Sequence, residues 1–337
     1  MGIISKDIGI DLGTSNIRIH LKGKGIVLTE PSVVAINQIT GEVLAVGSQA
    51  KEMLGRTPDN IVALKPLKDG VIADFGSTRA LIQNLISRVV QKSLFYRPRI
   101  VVSIPSEITD VEERAVEGVV YKSGAKEVYL MEEVMAAAIG SGIKVEKPEG
   151  SMIVDLGGGT SEMAVMSLGG IVVSNAVKIA GDKLDKDIVE FIKRNFNVII
   201  GEGEAEEVKK QIGAATSAMT DDKMNVKGRN LLTGLPETIT VTTQDINEAM
   251  KDSLSEIIRV IKLTLEQTPP ELASDIMENG IVLSGGLSML KNIDMLINEE
   301  TGMPVYIAEN PDRCVIKGVG SALDNIEVLK KATKTRR

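Results

Sequence analysis

The sequence has 337 residues, of which 43% are hydrophobic and 25% are charged, and its formal net charge at pH 7 is -7. This composition is typical of a globular protein of about two domains and excludes a largely disordered chain. Because acidic residues outnumber basic ones, we expect no nucleic-acid partner. One cysteine and one histidine exclude an internal disulfide and leave few candidates for a zinc site or a histidine-based catalytic pair.

The N-terminal residues show neither the basic start nor the apolar run of a signal peptide. The sequence also contains no uninterrupted apolar run long enough to cross a bilayer. These features predict a cytoplasmic protein.

A motif near the N-terminus recurs about halfway along the chain. Residues 8–15 read IGIDLGTS and residues 153–161 read IVDLGGGTS. Each copy continues with alternating residues, a glycine turn and a further alternating segment, which is typical of a strand-turn-strand-turn-strand unit. The repeat predicts two related domains. His20 alternates with charged residues in the first copy, so we expect it to be an exposed structural residue.

Between and after these hairpins the hydrophobic pattern changes to the spacing of helices. The pattern predicts helices over 81–94, 111–120, 134–143, 184–196, 203–217 and 289–297, and strands over 99–105, 127–131 and 281–286. Strands that alternate with helices predict an α/β fold with a mixed sheet in each half and ligands at the carboxyl ends of the strands. The polar stretch 201–244 indicates an inserted subdomain.

Asp11 and Asp155 each end a predicted strand and precede a glycine turn whose amides and hydroxyls can bind an anion. Glycine lets the backbone approach phosphate oxygens closely and tolerates positive φ. A single Asp-x-Gly-Thr motif is often an ordinary hairpin turn, but the matched pair favours a phosphate site between the two halves. Two carboxylates facing a polyphosphate require a cation, which predicts Mg²⁺ at Asp11 and Asp155. Neither loop has the P-loop or the dinucleotide-binding pattern.

These paired loops, together with Ser284-Gly285-Gly286, resemble those of the actin, sugar-kinase and heat-shock chaperone ATPase superfamily. Within it, four further segments resemble the MreB family of bacterial actin homologues, which includes Mbl and MreBH. These segments span nearly the whole chain: 30–35 (EPSVVA), 70–74 (GVIAD), 135–140 (MAAAIG) and 231–236 (LLTGLP).

The resemblance implies an α/β actin-like ATPase fold with two related domains, each with a mixed sheet flanked by helices, and a nucleotide in the cleft between them. It also implies four subdomains. Their expected boundaries are 1–32, 66–145 and 316–337 for subdomain IA, 33–65 for IB, 146–180 and 245–315 for IIA, and 181–244 for IIB.

The resemblance further implies ATP and Mg²⁺ as cofactors and assigns residues to them. Asp11 and Asp155 would hold Mg²⁺ through water. The phosphates would contact Gly13, Thr14 and Ser15 from one half, and Gly157, Gly158, Gly159 and Thr160 from the other. The adenosine would contact Glu206, Lys209, Gly285, Gly286 and Leu287.

Hydrolysis requires a group that orients a water molecule towards the γ-phosphorus. Glu133 begins the predicted helix after strand 127–131, and the resemblance implies that the catalytic glutamate stands here, with Thr160 assisting. The alternative is that Glu132 and Glu133 only favour the helix N-terminus.

Leu94 and Phe95 form a short apolar segment with basic neighbours, which is typical of a membrane-inserting wedge. MreB proteins insert a hydrophobic loop at this position, so the resemblance implies a peripheral location on the inner face of the cell membrane. The alternative is a helix end that packs into the core. The basic segment 330–337 is either a solvated tail or a further source of membrane attraction.

The resemblance implies a slow ATPase that polymerises into membrane-associated filaments of paired protofilaments. Such filaments organise cell-wall elongation and maintain rod shape, with RodZ, MreC, MreD and wall synthases as partners. A small-molecule kinase of the same fold is the main alternative, although no separate substrate base is evident. A chaperone would need a peptide-binding domain.

Overall fold

The computed structural model describes residues 7–90, 97–216 and 221–325. The chain divides into two compact units, one formed by Met1–Val145 and Arg313–Arg337, the other by Glu146–Asp312. The finer division into four subdomains stays a prediction.

The helices and strands follow one another in a regular chain order. The first unit begins with β1 (Ile8–Leu12), β2 (Asn16–Leu21), β3 (Gly25–Pro31), β4 (Val34–Asn37), β5 (Val43–Val46), α1 (Ser48–Glu52), β6 (Ile61–Leu64), β7 (Leu67–Lys68), β8 (Val71–Ile72), α2 (Phe75–Val89), β9 (Arg99–Ile104), α3 (Asp110–Lys122), β10 (Glu127–Glu132) and α4 (Glu133–Ser141). The second unit contains β11 (Ser151–Leu156), β12 (Ser161–Ser167), β13 (Gly170–Val177), α5 (Gly181–Phe196), β14 (Val198–Ile199), α6 (Glu202–Ile212), β15 (Lys223–Asn230), β16 (Pro236–Thr242), α7 (Thr243–Glu266), α8 (Pro270–Asn279), β17 (Ile281–Ser284), α9 (Ile293–Thr301) and β18 (Val305–Ile307). Helix α10 (Cys314–Asp324) returns to the first unit.

Among the described residues, each unit is built on a five-stranded mixed sheet, and the two sheets share one topology. The strand orders are β10-β9-β1-β2-β3 and β13-β12-β11-β17-β18. In each sheet the central strand, β1 or β11, pairs antiparallel with the next strand of the chain and parallel with a later one. All residues of β1 are buried, as expected for a strand inside a sheet that is covered on both faces. The predicted repeat is therefore confirmed at the level of strand order.

Three predicted helices differ from the structure by more than three residues at an end. The helix predicted over 81–94 begins earlier, at Phe75, and ends at Val89, because Val90 has an extended backbone. The helix predicted over 203–217 ends at Ile212, because Gly213 is extended and Ala215 donates its backbone N–H to Lys291 O at 2.7 Å. The prediction of a helix over 289–297 was wrong about where the helix begins, because α9 starts at Ile293. A 3₁₀ turn over Gly286–Met289 comes first, and Asn292, with φ 61°, reverses the backbone before α9 begins. The turn and the helix both contribute apolar residues to the core. Their combined spacing in the sequence is therefore similar to that of one continuous helix.

His20 is half-buried, which corrects the expectation of an exposed residue. Its ring covers Gly320 of α10, where an added Cβ would lie 2.6 Å from His20 Nε2. Burial lowers the pKa of His20 below its ordinary value, and the nearby Asp324 partly offsets this effect. Lys22, which directly follows β2, donates to the backbone oxygen of Leu323 at 2.7 Å. The end of the β2 hairpin strand therefore contacts the end of α10.

Helices α4 and α10 cross at glycine contacts in the first unit. A Cβ added at Gly140 would lie 1.8 Å from Cys314 O, and one added at Gly318 would lie 1.9 Å from Ala136 O. Side chains larger than hydrogen cannot fit at these positions unless the helices separate. The crossing therefore fixes α4, the helix that Glu133 begins.

Candidate functional site

The first glycine loop follows β1 and is held by Ser32. The Ser32 hydroxyl donates to Gly13 O at 2.6 Å, and the Ser32 backbone N–H donates to Ser15 O at 3.0 Å. A Cβ at Gly13 would lie 2.8 Å from Asn16 O. Gly13 is therefore required by the tightness of the turn and not by its φ, which is outside the positive range.

Thr14 and Asp11 are the buried polar residues of this loop, 6% and 5% exposed. The Thr14 hydroxyl accepts the backbone N–H of Gly70 at 3.0 Å, so its own hydrogen can be donated to an anion. Arg18 lies opposite Asp11 in the β1–β2 pairing, and its Nη1 donates to Asp11 Oδ2 at 3.2 Å. The first unit therefore compensates the charge of its own aspartate.

The second glycine loop is closed by a bond within the loop and attached to α5 by two more. Gly157 N–H donates to Thr160 O at 2.9 Å. The carbonyls of Gly157 and Gly158 accept the backbone N–H groups of Gly181 and Asp182, at 3.2 and 2.8 Å. Gly157 also lacks positive φ, and its Cβ would lie 3.0 Å from Thr160 O. The loop conformation therefore depends on the first turn of α5.

Asp155 occupies the place in β11 that Asp11 has in β1, but its partners differ. The Ser284 hydroxyl, on the neighbouring parallel strand, donates to Asp155 Oδ1 at 2.5 Å. Glu162, only 1% exposed, lies opposite Asp155 in the β11–β12 pairing. The residue opposite the aspartate is therefore acidic in the second sheet and basic in the first.

The donor chemistry of these aspartates fits Mg²⁺, which prefers carboxylate oxygens and keeps several water ligands. In the part of the chain that the structure describes, no three acidic, histidine or cysteine side chains cluster as a metal site.

The third glycine loop follows β17. Gly285 has φ 84°, and its Cβ would lie 2.2 Å from Leu156 O, so glycine is required there for both backbone conformation and space. Gly286 is exposed and opens the 3₁₀ turn, whereas the Leu287 side chain is buried in the hydrophobic core of the second unit. Of Gly286 and Leu287, Gly286 is therefore the residue that solvent can reach.

Helix α6 carries Glu206 and Lys209, which differ in their surroundings. Glu206 is half-buried and forms an ion pair with Lys210 at 2.5 Å. Lys209 is 9% exposed, and its Nζ donates to Gly181 O at 2.6 Å and lies 2.7 Å from Asp185 Oδ1. Burial raises the pKa of Asp185 to about 6, and the charge of Lys209 opposes this shift.

Glu133 is the first residue of α4 and is 9% exposed. It directly follows β10, and the N-cap residue, Glu132, makes no side-chain hydrogen bond to the helix. A buried carboxylate at the start of a helix is stabilised by the helix dipole. Both the catalytic and the structural interpretation of Glu133 agree with this arrangement.

Leu94 and Phe95, the predicted membrane wedge, lie outside the described residues. Over the ranges that are described, no helix has the length and apolar character needed to cross a membrane.

The fold defines the class of the protein, because the structure matches solved actin-like proteins. The crystal structure of MreB 5 of Spiroplasma citri bound to AMPPNP covers 100% of both chains with a TM-score of 0.92 and 35% identity. A MamK double helical filament, at 19% identity, covers 94% of this chain and 98% of its own with a TM-score of 0.80 and supports the fold alone. The chain therefore has the α/β actin-like fold in two domains that the sequence predicts.

A family model described as MreB/Mbl protein matches residues 5–331. The cell shape-determining protein Mbl of Bacillus cereus (strain ATCC 10987 / NRS 248) is 49% identical, over 98% of this chain and 99% of its own length. The cell shape-determining protein MreB of Escherichia coli (strain K12) is also 49% identical, over 97% of this chain and 96% of its own. The chain belongs to the MreB/Mbl family, and the resemblance inferred from its motifs is confirmed.

Proposed function

We propose that the chain binds ATP with Mg²⁺, and that one glycine loop from each unit binds the phosphates. The duplicated loops carry this proposal, since both are fixed by hydrogen bonds and a Cβ at the first glycine of each would crowd a carbonyl oxygen of its own turn, at 2.8 and 3.0 Å. The AMPPNP in the structure of Spiroplasma citri MreB 5 supports it.

In this proposal Thr14, Ser15 and Thr160 donate hydroxyl hydrogens to phosphate oxygens, and the glycines Gly13, Gly157, Gly158 and Gly159 let backbone N–H groups approach. Asp11 and Asp155 hold the metal through water. When bound, Mg²⁺ neutralises phosphate charge as it develops during hydrolysis. The adenosine side of the site is formed by Glu206, Lys209, Gly285, Gly286 and Leu287.

We propose Glu133 as the residue that accepts a hydrogen bond from the attacking water, with Thr160 assisting. Its position at the start of a helix that is fixed by the α4–α10 crossing supports this role, because orienting a water requires a rigidly held acceptor. The competing interpretation, a glutamate that only favours the helix N-terminus, is tested by turnover.

We further propose that the ATP-bound protein polymerises into paired protofilaments on the inner face of the cell membrane. There it would organise cell-wall elongation and maintain rod shape, with RodZ, MreC and MreD as partners. The cell shape-determining relatives, which are about half identical to this chain over nearly its whole length, support this role.

The test is high-speed pelleting of the purified protein with Mg-ATP, with Mg-ADP and without nucleotide, each with and without anionic liposomes, while phosphate release is followed. We expect nucleotide-dependent pelleting that lipid enhances. A protein that stays in solution at every concentration, and releases phosphate only when a small molecule is added, would instead be a kinase of the same fold.

A further inference from the structure

The second glycine loop is supported from outside by the first turn of α5. The amides of Gly181 and Asp182 donate to the carbonyls of Gly157 and Gly158. These are two of the first N–H groups of the helix, which have no partner within it. The loop and the helix start therefore move as one unit.

Lys209 holds that helix start through the carbonyl of Gly181. Its Nζ donates to Gly181 O at 2.6 Å, and a Cβ added at Gly181 would lie 3.5 Å from Nζ and 3.4 Å from Gly157 O. Gly181 therefore contacts both the ammonium group of Lys209 and the glycine loop. A hydrogen bond from a charged donor is stronger than one between neutral groups, so this contact restrains Gly181 firmly.

Asp185 fixes Lys209 in that position. It lies one helical turn after Gly181 on α5, and its Oδ1 is 2.7 Å from Lys209 Nζ. The two side chains are 9% and 10% exposed, so solvent screens their attraction only weakly. The lysine of α6 is therefore joined to two points on the first turns of α5.

We propose that Lys209 is a positioning residue for the second phosphate loop, acting through Gly181 with Asp185 as its anchor, and not only a residue that contacts the nucleoside. This inference rests on the proposed nucleotide-binding function. It means that α6, on the adenosine side of the proposed site, is linked through the first turns of α5 to the loop on the phosphate side. Occupation of one side is then expected to order the other.

Inorganic tripolyphosphate and adenosine separate the two roles, because each probe occupies one side only. We expect Lys209→Met to weaken tripolyphosphate binding about tenfold or more, the effect of losing a charge-assisted bond, while adenosine binding changes less. The matched control is Lys186→Met, an exposed lysine on α5, which removes the same charge and should leave the affinity near that of the wild type. Weakened adenosine binding with unchanged tripolyphosphate binding would overturn the proposal.

Asp185→Asn distinguishes positioning from direct contact between Lys209 and phosphate. Removing an acidic group strengthens anion binding if Lys209 is released to bind phosphate itself. If Lys209 acts by positioning, the same change weakens tripolyphosphate binding, since the anchor is lost. The double variant Lys209→Met/Asp185→Asn keeps the net charge, leaves no buried charge unpaired and is expected to show the same weakening.

Amide hydrogen exchange in the nucleotide-free protein tests the linkage even if the chain binds no nucleotide. We expect Gly181 and Asp182 to exchange about tenfold faster in Lys209→Met than in Lys186→Met, because their bonds to the loop open more often. Equal exchange rates in the two variants would overturn the inference. Faster exchange without any ATP or tripolyphosphate binding by the wild type would retain the linkage and reject the proposed function.

Discussion

Arg18 and Asp11 form an ion pair across β1 and β2, whereas Glu162 stands opposite Asp155 at the same position of the second sheet. The strand topology is repeated, but the charge beside each aspartate is reversed. In the first unit Arg18 pairs with the aspartate, whereas in the second the Ser284 hydroxyl donates to the aspartate and one acidic residue lies opposite it.

Replacing Arg18 with Met should destabilise the nucleotide-free protein by about 3 kcal/mol, because a largely buried carboxylate loses its paired cation. The two side chains are 12% and 7% exposed. Chemical denaturation of Arg18→Met, Asp11→Asn and the double variant measures the interaction energy of the pair. The double variant should lose less free energy of unfolding than the two single variants lose together. Arg56→Met, at an exposed arginine of the same unit, is the control; equal losses for both arginines would contradict the prediction.

Glu133→Ala should retain ATP binding but release phosphate about 100-fold more slowly, since the group that orients the water is removed. Phosphate release and nucleotide affinity are measured on the same preparation. Glu132→Ala, one residue earlier, serves as the control because it shares the helix terminus. If Glu133 only favours the helix N-terminus, turnover is unchanged and the loss appears as about 0.5 kcal/mol of stability.

Asp185 should titrate with a midpoint of about 6, well above its ordinary value of 3.8, because burial disfavours its charged form. A carboxyl whose pKa is raised by folding stabilises the folded state most at low pH. That contribution is lost as the pH rises from about 4 to about 6, and it amounts to at most about 3 kcal/mol for a shift of about two units.

Asp185→Asn lacks this pH dependence. The free energy of unfolding of the wild type minus that of Asp185→Asn is therefore expected to fall across this range and to level off above pH of about 7. Carboxyl NMR gives the midpoint directly. A midpoint near 4 would show that the pairing with Lys209 outweighs burial.

Leu94→Ser/Phe95→Ser should abolish liposome binding while polymerisation with Mg-ATP persists, because the change removes the apolar groups that would enter the membrane. Co-sedimentation with anionic vesicles measures binding, and pelleting without lipid measures polymerisation. Full retention of lipid binding would reject the wedge. Loss of folding in this variant would instead favour the core-packing alternative.

Local patterns in the sequence predict the fold well where each element carries its own signal. The repeated Asp-Leu-Gly motif predicts both hairpins, and Thr109 with Glu112 forms the capping box that starts α3. The sequence does not predict the first turn of α5, since Ala180 provides no side-chain cap there. That turn is the support of the second loop.

The partners of the predicted site residues come from tertiary contacts that local spacing cannot reveal. Ser284 meets Asp155 across a parallel pair, and Lys209 meets Asp185 between two helices. Arg18 is different, because the hairpin register that follows from the short turn after Asp11 places it opposite that aspartate. Register counting along the predicted hairpin could have found it.

Because α10 belongs to the first unit, the two units can complete their folds at different stages of synthesis. The second unit is one continuous segment, whereas the first is completed only by residues that follow the second unit in the chain. A ribosome must therefore translate past residue 324 before α4 can pack against its partner helix at Gly318. A nascent or truncated chain that lacks α10 would leave α4, which begins at Glu133, without its partner helix, so the proposed hydrolysis should appear only after α10 has been made.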